Sequence, residues 1–161
     1  MTTTPRAPEA QALFNHPFGA YLLACAVHAA AKTGPRRPMP WPSAFLVLPF
    51  ILPQDIRDDL PIKASRPLAA WLADHPRHRA QFPARAASLA EYTRASLRTA
   101  LRHRALTVTE GGRLSCPRPP RPVTADVGPE VVDCARRAAL VGRWLSVIEP
   151  ATAYTHLGVR P

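Results

Sequence analysis

Twenty prolines in a chain of 161 residues set the tightest limit on its fold. Proline lacks an amide donor and clashes with the preceding helical turn, so this density cuts a chain into short elements rather than long helices. The rest of the composition is globular: 47% of residues are hydrophobic, which argues against wholesale disorder. The length suits one domain with a real core. We therefore expect a single domain over 1–161, with 1–11 a loose tail and 117–128 a proline-rich linker inside the domain.

Between the prolines the pattern is mostly helical. Asn15 caps a helix with Pro17 in its first turn, ending near Lys32 before Gly34. The spacing of Tyr21, Leu22, Cys25 and Ala29 predicts its core face. The apolar run from Phe18 to Ala31 is about half the length a bilayer crossing needs, so it reads as a buried helix and no membrane is expected. Phe45 to Leu52 is the most hydrophobic segment and belongs in the core. A short apolar run does not separate helix from strand; we lean to a helix capped by Ser43 and kinked at Pro49. Gln54 to Leu60 adds a polar helical turn. Ser65 with Pro67 starts a helix through Trp71 to Asp74. Pro76 begins the next, reaching about Leu89 with a kink at Pro83. Pro129 opens a helix to about Val147, and a short one from Ala151 to Leu157 stops at Gly158.

The segment between these carries the strongest functional signal. Glu91 or Tyr92 opens a helix to His103 or Arg104, on which Arg94, Arg98 and Arg102 recur every fourth residue and line one face. It feeds a hairpin pairing Leu106–Thr109 with Arg113–Cys116, where Gly111-Gly112 provides the positive backbone angles of a two-residue primed turn. Helix followed by hairpin is how a winged-helix module ends. The fold class predicted is mainly α with a small β-hairpin, a winged-helix-like helical domain. With Arg113 at the wing tip, four arginines could hold phosphates on either side of a groove. Glu91-Tyr92-Thr93 is poor material for reading bases, so any DNA contact is expected to be non-specific and strongly salt-dependent. The formal charge of +10 points to a polyanionic or acidic partner. Nineteen of the 21 basic residues are arginine, however, which a GC-rich genome would also impose.

Catalytic patterns are missing. Cys25, Cys116 and Cys134 are odd in number and lack Cys-x-x-Cys spacing, so they read as free thiols of a cytoplasmic protein. Met1 to Gln11 has no apolar core of a secretory signal. His75 and His78 have no companions that complete a metal site and read as helix-end or surface histidines. There is no nucleophile elbow, Walker loop or dinucleotide-binding glycine motif. Asp55, Asp58 and Asp59 read as a charged helix turn beside Arg57. No enzyme activity, cofactor or metal is expected.

Several segments together resemble a family. They are Leu13-Phe14-Asn15 with Pro17-Phe18, Phe45-Leu46-Val47-Leu48-Pro49, Arg57 ahead of Leu60-Pro61, and Tyr92-Thr93-Arg94. Gly111-Gly112-Arg113-Leu114, Gly142-Arg143-Trp144 and the closing Leu157-Gly158-Val159-Arg160-Pro161 follow in order. The chain resembles the middle component of bacterial three-component ABC systems, predicted conflict or anti-phage defence operons. It departs from the family pattern at His16, which separates Asn15 from Pro17, and at Glu91, where the family often has proline. The resemblance implies a non-enzymatic adaptor linking an SMC-like or Rad50-like ABC ATPase to an effector of the same operon. On that basis Arg57 on a short exposed turn, Arg143 and the adjoining Trp144, and Arg160 with Pro161 are the expected partner-binding residues. Each has an internal alternative: Trp144 as core, Arg143 paired with Glu149 or with an acid near the helix start, Arg160 as part of a cap. A free-standing winged-helix DNA-binding transcriptional regulator is the competing expectation.

Overall fold

A computed structural model of the protein describes residues 15–33 and 38–160. The expected tail at 1–11, the stop at Gly34 and the site residue Pro161 lie outside the described residues. Within them the chain is mainly α with a small antiparallel sheet, as the sequence predicts. The first helix, α1 (His16–Ala31), starts where Asn15 Oδ1 accepts the amide of Phe18 at 3.1 Å, with Pro17 in the first turn. Its buried surface is wider than the predicted face: Leu22, Leu23, Ala26 and Val27 are buried, while Tyr21 and Cys25 are half-buried. Small residues all round the helix let neighbours approach from several sides.

A two-residue strand, β1 (Met39–Pro40), leads into a 3-10 helix (Trp41–Leu46) and then α2 (Val47–Ile51). The apolar segment is thus helical, but Ser43 does not cap it; its hydroxyl is buried without a partner. Pro49 lies in the first turn of α2, where its missing amide costs no helical bond, so the break falls at the 3-10 to α switch instead. Two short helices follow, α3 (Gln54–Asp59) and α4 (Leu68–Asp74). At the centre, Phe50 meets Phe82 at 4.6 Å, Trp144 at 6.0 Å and Trp71 at 6.2 Å between ring centroids, joining four helices in one core.

Where the sequence predicts two helices, the structure has one, α5 (Pro76–Arg102), of 27 residues. Pro83 sits inside it without ending it, and Leu89-Ala90-Glu91-Tyr92 offers no glycine or proline to stop propagation. The chain turns at Arg104 (φ 57°) into β2 (Thr107–Thr109) and β3 (Arg113–Ser115). Thr109 pairs with Arg113, the register the sequence predicts, but that leaves a three-residue loop, Glu110-Gly111-Gly112, rather than a two-residue primed turn. β3 is the middle strand: β1 joins its other edge, with Met39 opposite Leu114 and Pro40 opposite Arg113. After a 3-10 turn (Ala125–Val127), α6 (Pro129–Ser146) and α7 (Pro150–Leu157) complete the fold, α7 ending at Gly158 in the left-handed region. α1 packs along α6 and α5. A Cβ on Gly142 would lie 2.1 Å from the Ala26 carbonyl oxygen, so glycine is what permits the α1–α6 contact.

Candidate functional site

The arginine row begins inside the molecule. Along α5 the residues Phe82, Ala86, Ala90, Arg94, Arg98 and Arg102 are each four apart, and each step overshoots a full turn by about 40°. The row therefore winds outward: Phe82 and Ala86 are buried, Ala90 is half-buried, and the three arginines are exposed. Arg94 donates to Glu91, one turn back. Arg98 and Arg102 have no ion-pair partner among the described residues. The structure does not add Arg113 to this row. Arg113 lies in β3 rather than at the wing tip, is half-buried, and donates to the Pro38 carbonyl at 2.9 Å.

Where the row passes from buried to exposed, it forms one wall of an apolar groove of about 1010 Å³. That volume is at the top of the range of ligand clefts, about 300–1,000 Å³. On α5 the wall is Pro83, Ala87, Ala90 and Arg94; the 3-10 helix contributes Trp41 and Phe45; and the α7 corner contributes Tyr154, Val159 and Arg160. Trp41 is 51% exposed and meets Phe45 edge-on at 6.2 Å. Its backbone amide donates to the Gly112 carbonyl at 3.0 Å, and a Cβ on Gly112 would touch its ring at 3.0 Å, so the hairpin tip supports the groove from behind. Tyr154 donates its hydroxyl to the Pro42 carbonyl at 2.8 Å, and burial raises its pKa. The amide of Val159 donates to the Tyr154 carbonyl at 3.0 Å, fixing the corner that carries Arg160. Arg94 and Arg160, which the sequence assigned to two different surfaces, both line this groove.

The other predicted residues sit elsewhere. Arg57 is not on an exposed turn: it is 3% exposed. Its guanidinium donates to the Ile51 carbonyl at 2.8 Å and to Glu130 at 2.9 Å, and lies 3.4 Å from Asp133. Trp144 is buried in the core and donates its indole N–H to the Arg66 carbonyl at 2.7 Å. Arg143 is exposed on α6 and forms no ion pair with Glu149. His75 is at a helix end as expected, but His78 is buried, 2.6 Å from Asp59, with both imidazoles stacked on Trp71. Among the described residues no group of histidine, cysteine and carboxylate side chains could hold a metal ion. Burial pushes the Cys25 and Cys134 thiols up to about 11. Sequence reasoning missed Trp41, Phe45, Ala87 and Tyr154; an aromatic residue held between Pro40 and Pro42 was the one local signal.

No curated protein and no solved structure matches the chain. The pattern of one family does, and it runs through residues 3–161. The chain belongs to that family, the ABC-three component (ABC-3C) system Middle Component 3.

Proposed function

We propose that this middle component is a non-enzymatic, cytoplasmic adaptor that holds an SMC-like ABC ATPase and an effector of the same operon together in a bacterial defence system. Family membership over residues 3–161 is the observation that carries this reading. The groove supports it: an apolar cleft beside exposed arginines, with a half-exposed tryptophan, is the chemistry of a protein-binding surface. Arg160 and Arg143 keep the role of partner contacts, whereas Arg57 and Trp144 support the fold from inside. The test is to purify the tagged protein from cells expressing its operon. The ATPase is expected to co-purify, and a change of the Val159–Pro161 segment is expected to weaken the association. A monomer that ignores every product of its own operon overturns the reading.

A second reading rests on Arg98 and Arg102, exposed and without ion-pair partners among the described residues. The order helix, strand, helices, hairpin, with β1 on the outer edge of β3, favours a winged-helix module. A free-standing regulator would shift duplex DNA alone at physiological salt, and Arg98→Ala with Arg102→Ala would abolish the shift. No shift by the isolated protein removes it.

A further inference from the structure

We infer that the groove between α5, the 3-10 helix Trp41–Leu46 and the Gly158 corner receives a short partner segment in which apolar side chains stand next to Asp or Glu. This deepens the adaptor reading and rests on it, since it names the docking site and the chemistry that the site selects.

Both halves of that chemistry are in the lining. The floor is alanine and proline from α5, closed on the opposite side by Trp41 and Tyr154, which suits a few apolar side chains. Trp71 and Trp144 are almost completely buried, while Trp41 is half exposed and lines the groove, so an aromatic anchor is already in place for an incoming chain. The charge of the lining has one sign. Arg94 and Arg160 are exposed, and among the described residues no carboxylate lines the groove. Glu91 accepts from Arg94, but its side chain is 84% exposed and holds that arginine weakly. An incoming carboxylate nearer the apolar wall would compete with it in a less hydrated setting.

A second copy of this chain is a poor occupant. It carries a formal charge of +10, and six of its carboxylates already hold its own arginines or histidine. Acidic partner segments meet no such conflict.

Overlapping synthetic peptides covering the other two proteins of the operon, probed with the full-length protein, test this directly. Bound peptides are expected to combine apolar residues with Asp or Glu. Ala87→Glu, which fills the groove from an exposed helical position, should weaken their binding about tenfold or more, the loss typical of a blocked anchor site. Arg94→Glu with Arg160→Glu should do the same, and should gain affinity for peptides whose acids are changed to lysine. Unchanged circular dichroism and melting of the variants exclude unfolding as the cause. Binding of neutral or basic peptides, or equal binding by Ala87→Glu, overturns the assignment. So does a dimer that Ala87→Glu dissolves, since the occupant is then a second copy. If Ala87→Glu co-purifies with both the ATPase and the effector as the wild type does, the groove assignment fails and the adaptor survives. If neither the wild type nor the variant co-purifies with either, the adaptor reading itself has failed.

Discussion

Arg57 is the residue on which the sequence pattern and the physical environment diverge most. A guanidinium removed from water is tolerated only if its charge and donors are met, and here the Ile51 and Leu52 carbonyls and the Glu130 carboxylate accept from it, while Asp133 faces its Nε at 3.4 Å as a counter-charge without completing a hydrogen bond. Glu130 and Asp133 are partly exposed and regain water if the arginine is lost, whereas the Ile51 and Leu52 carbonyls face a cavity. Arg57→Met should therefore destabilise the protein by about 2–3 kcal/mol, the range for lost hydrogen bonds to a charged group, measured by urea unfolding. Asp55 offers a pH-resolved counterpart. Its hydrogen bond from Arg85, at 2.5 Å, holds its carboxyl below the ordinary value of 3.8. A carboxyl whose pKa is depressed by folding stabilises the fold above its ordinary range and loses that contribution as pH falls through the lower, folded value. Asp55→Asn should thus lower the urea midpoint at pH 7, and the difference from wild type should shrink progressively at pH values below 3.8. A constant difference across that range would assign the effect to packing.

Elements meet in this fold at points where only small residues fit. The α1–α6 contact is set by Gly142, whose missing side chain leaves room for the Ala26 carbonyl. Because the obstacle is backbone rather than a flexible side chain, Gly142→Ala must move one helix. We expect a loss at the upper end of the about 1–3 kcal/mol typical of overpacking, again read from urea unfolding, despite the better helix propensity of alanine. The helix starts at Asn15 and Pro129 and the stop at Gly158 were legible in the sequence because caps act through one or two neighbouring residues. The continuity of α5 was not. Pro83 suggests a kink by its own chemistry, but packing of Phe82 and Ala86 against the core holds the helix together through it. β1 was missed because two residues, one of them proline, have no periodicity; only the free edge of β3 makes them a strand. The hairpin loop was read one residue short because Gly111 and Gly112 both take positive φ in either turn length. The groove could not be read at all. Trp41, Ala87 and Tyr154 are far apart in sequence, and only the folded arrangement of three elements brings them together.

At the scale of the molecule, α5 connects two different surfaces. Its middle forms a wall of the groove, and its end carries the outward part of the arginine row, beside the hairpin. The charge of +10 is not spread evenly over the arginines, because Arg57, Arg66, Arg85, Arg94 and Arg137 face carboxylates of the same chain. Arg98 and Arg102 have no such partner among the described residues, so on this ridge they offer a polyanion uncompensated charge. Arg102 also lies in the last turn of α5, where a cation is favoured by the helix dipole, which gives it a structural role independent of any partner. Stability and salt dependence separate the two roles. If phosphates are held along this ridge, each contact releases a counterion, and replacing Arg98 and Arg102 by alanine should reduce the slope of log affinity against log salt by about 2. The same double variant should lose only about 0.3–1 kcal/mol of stability through the dipole, and its binding of acidic peptides at the groove should stay within twofold of wild type, as expected for exposed cations that lie beyond the lining (about 0–1 kcal/mol each). A slope that does not change while DNA is still bound would move the phosphate contacts off α5. An unchanged slope together with weakened peptide binding would make the arginine row an extension of the protein-docking surface, leaving the ridge and groove as one interface.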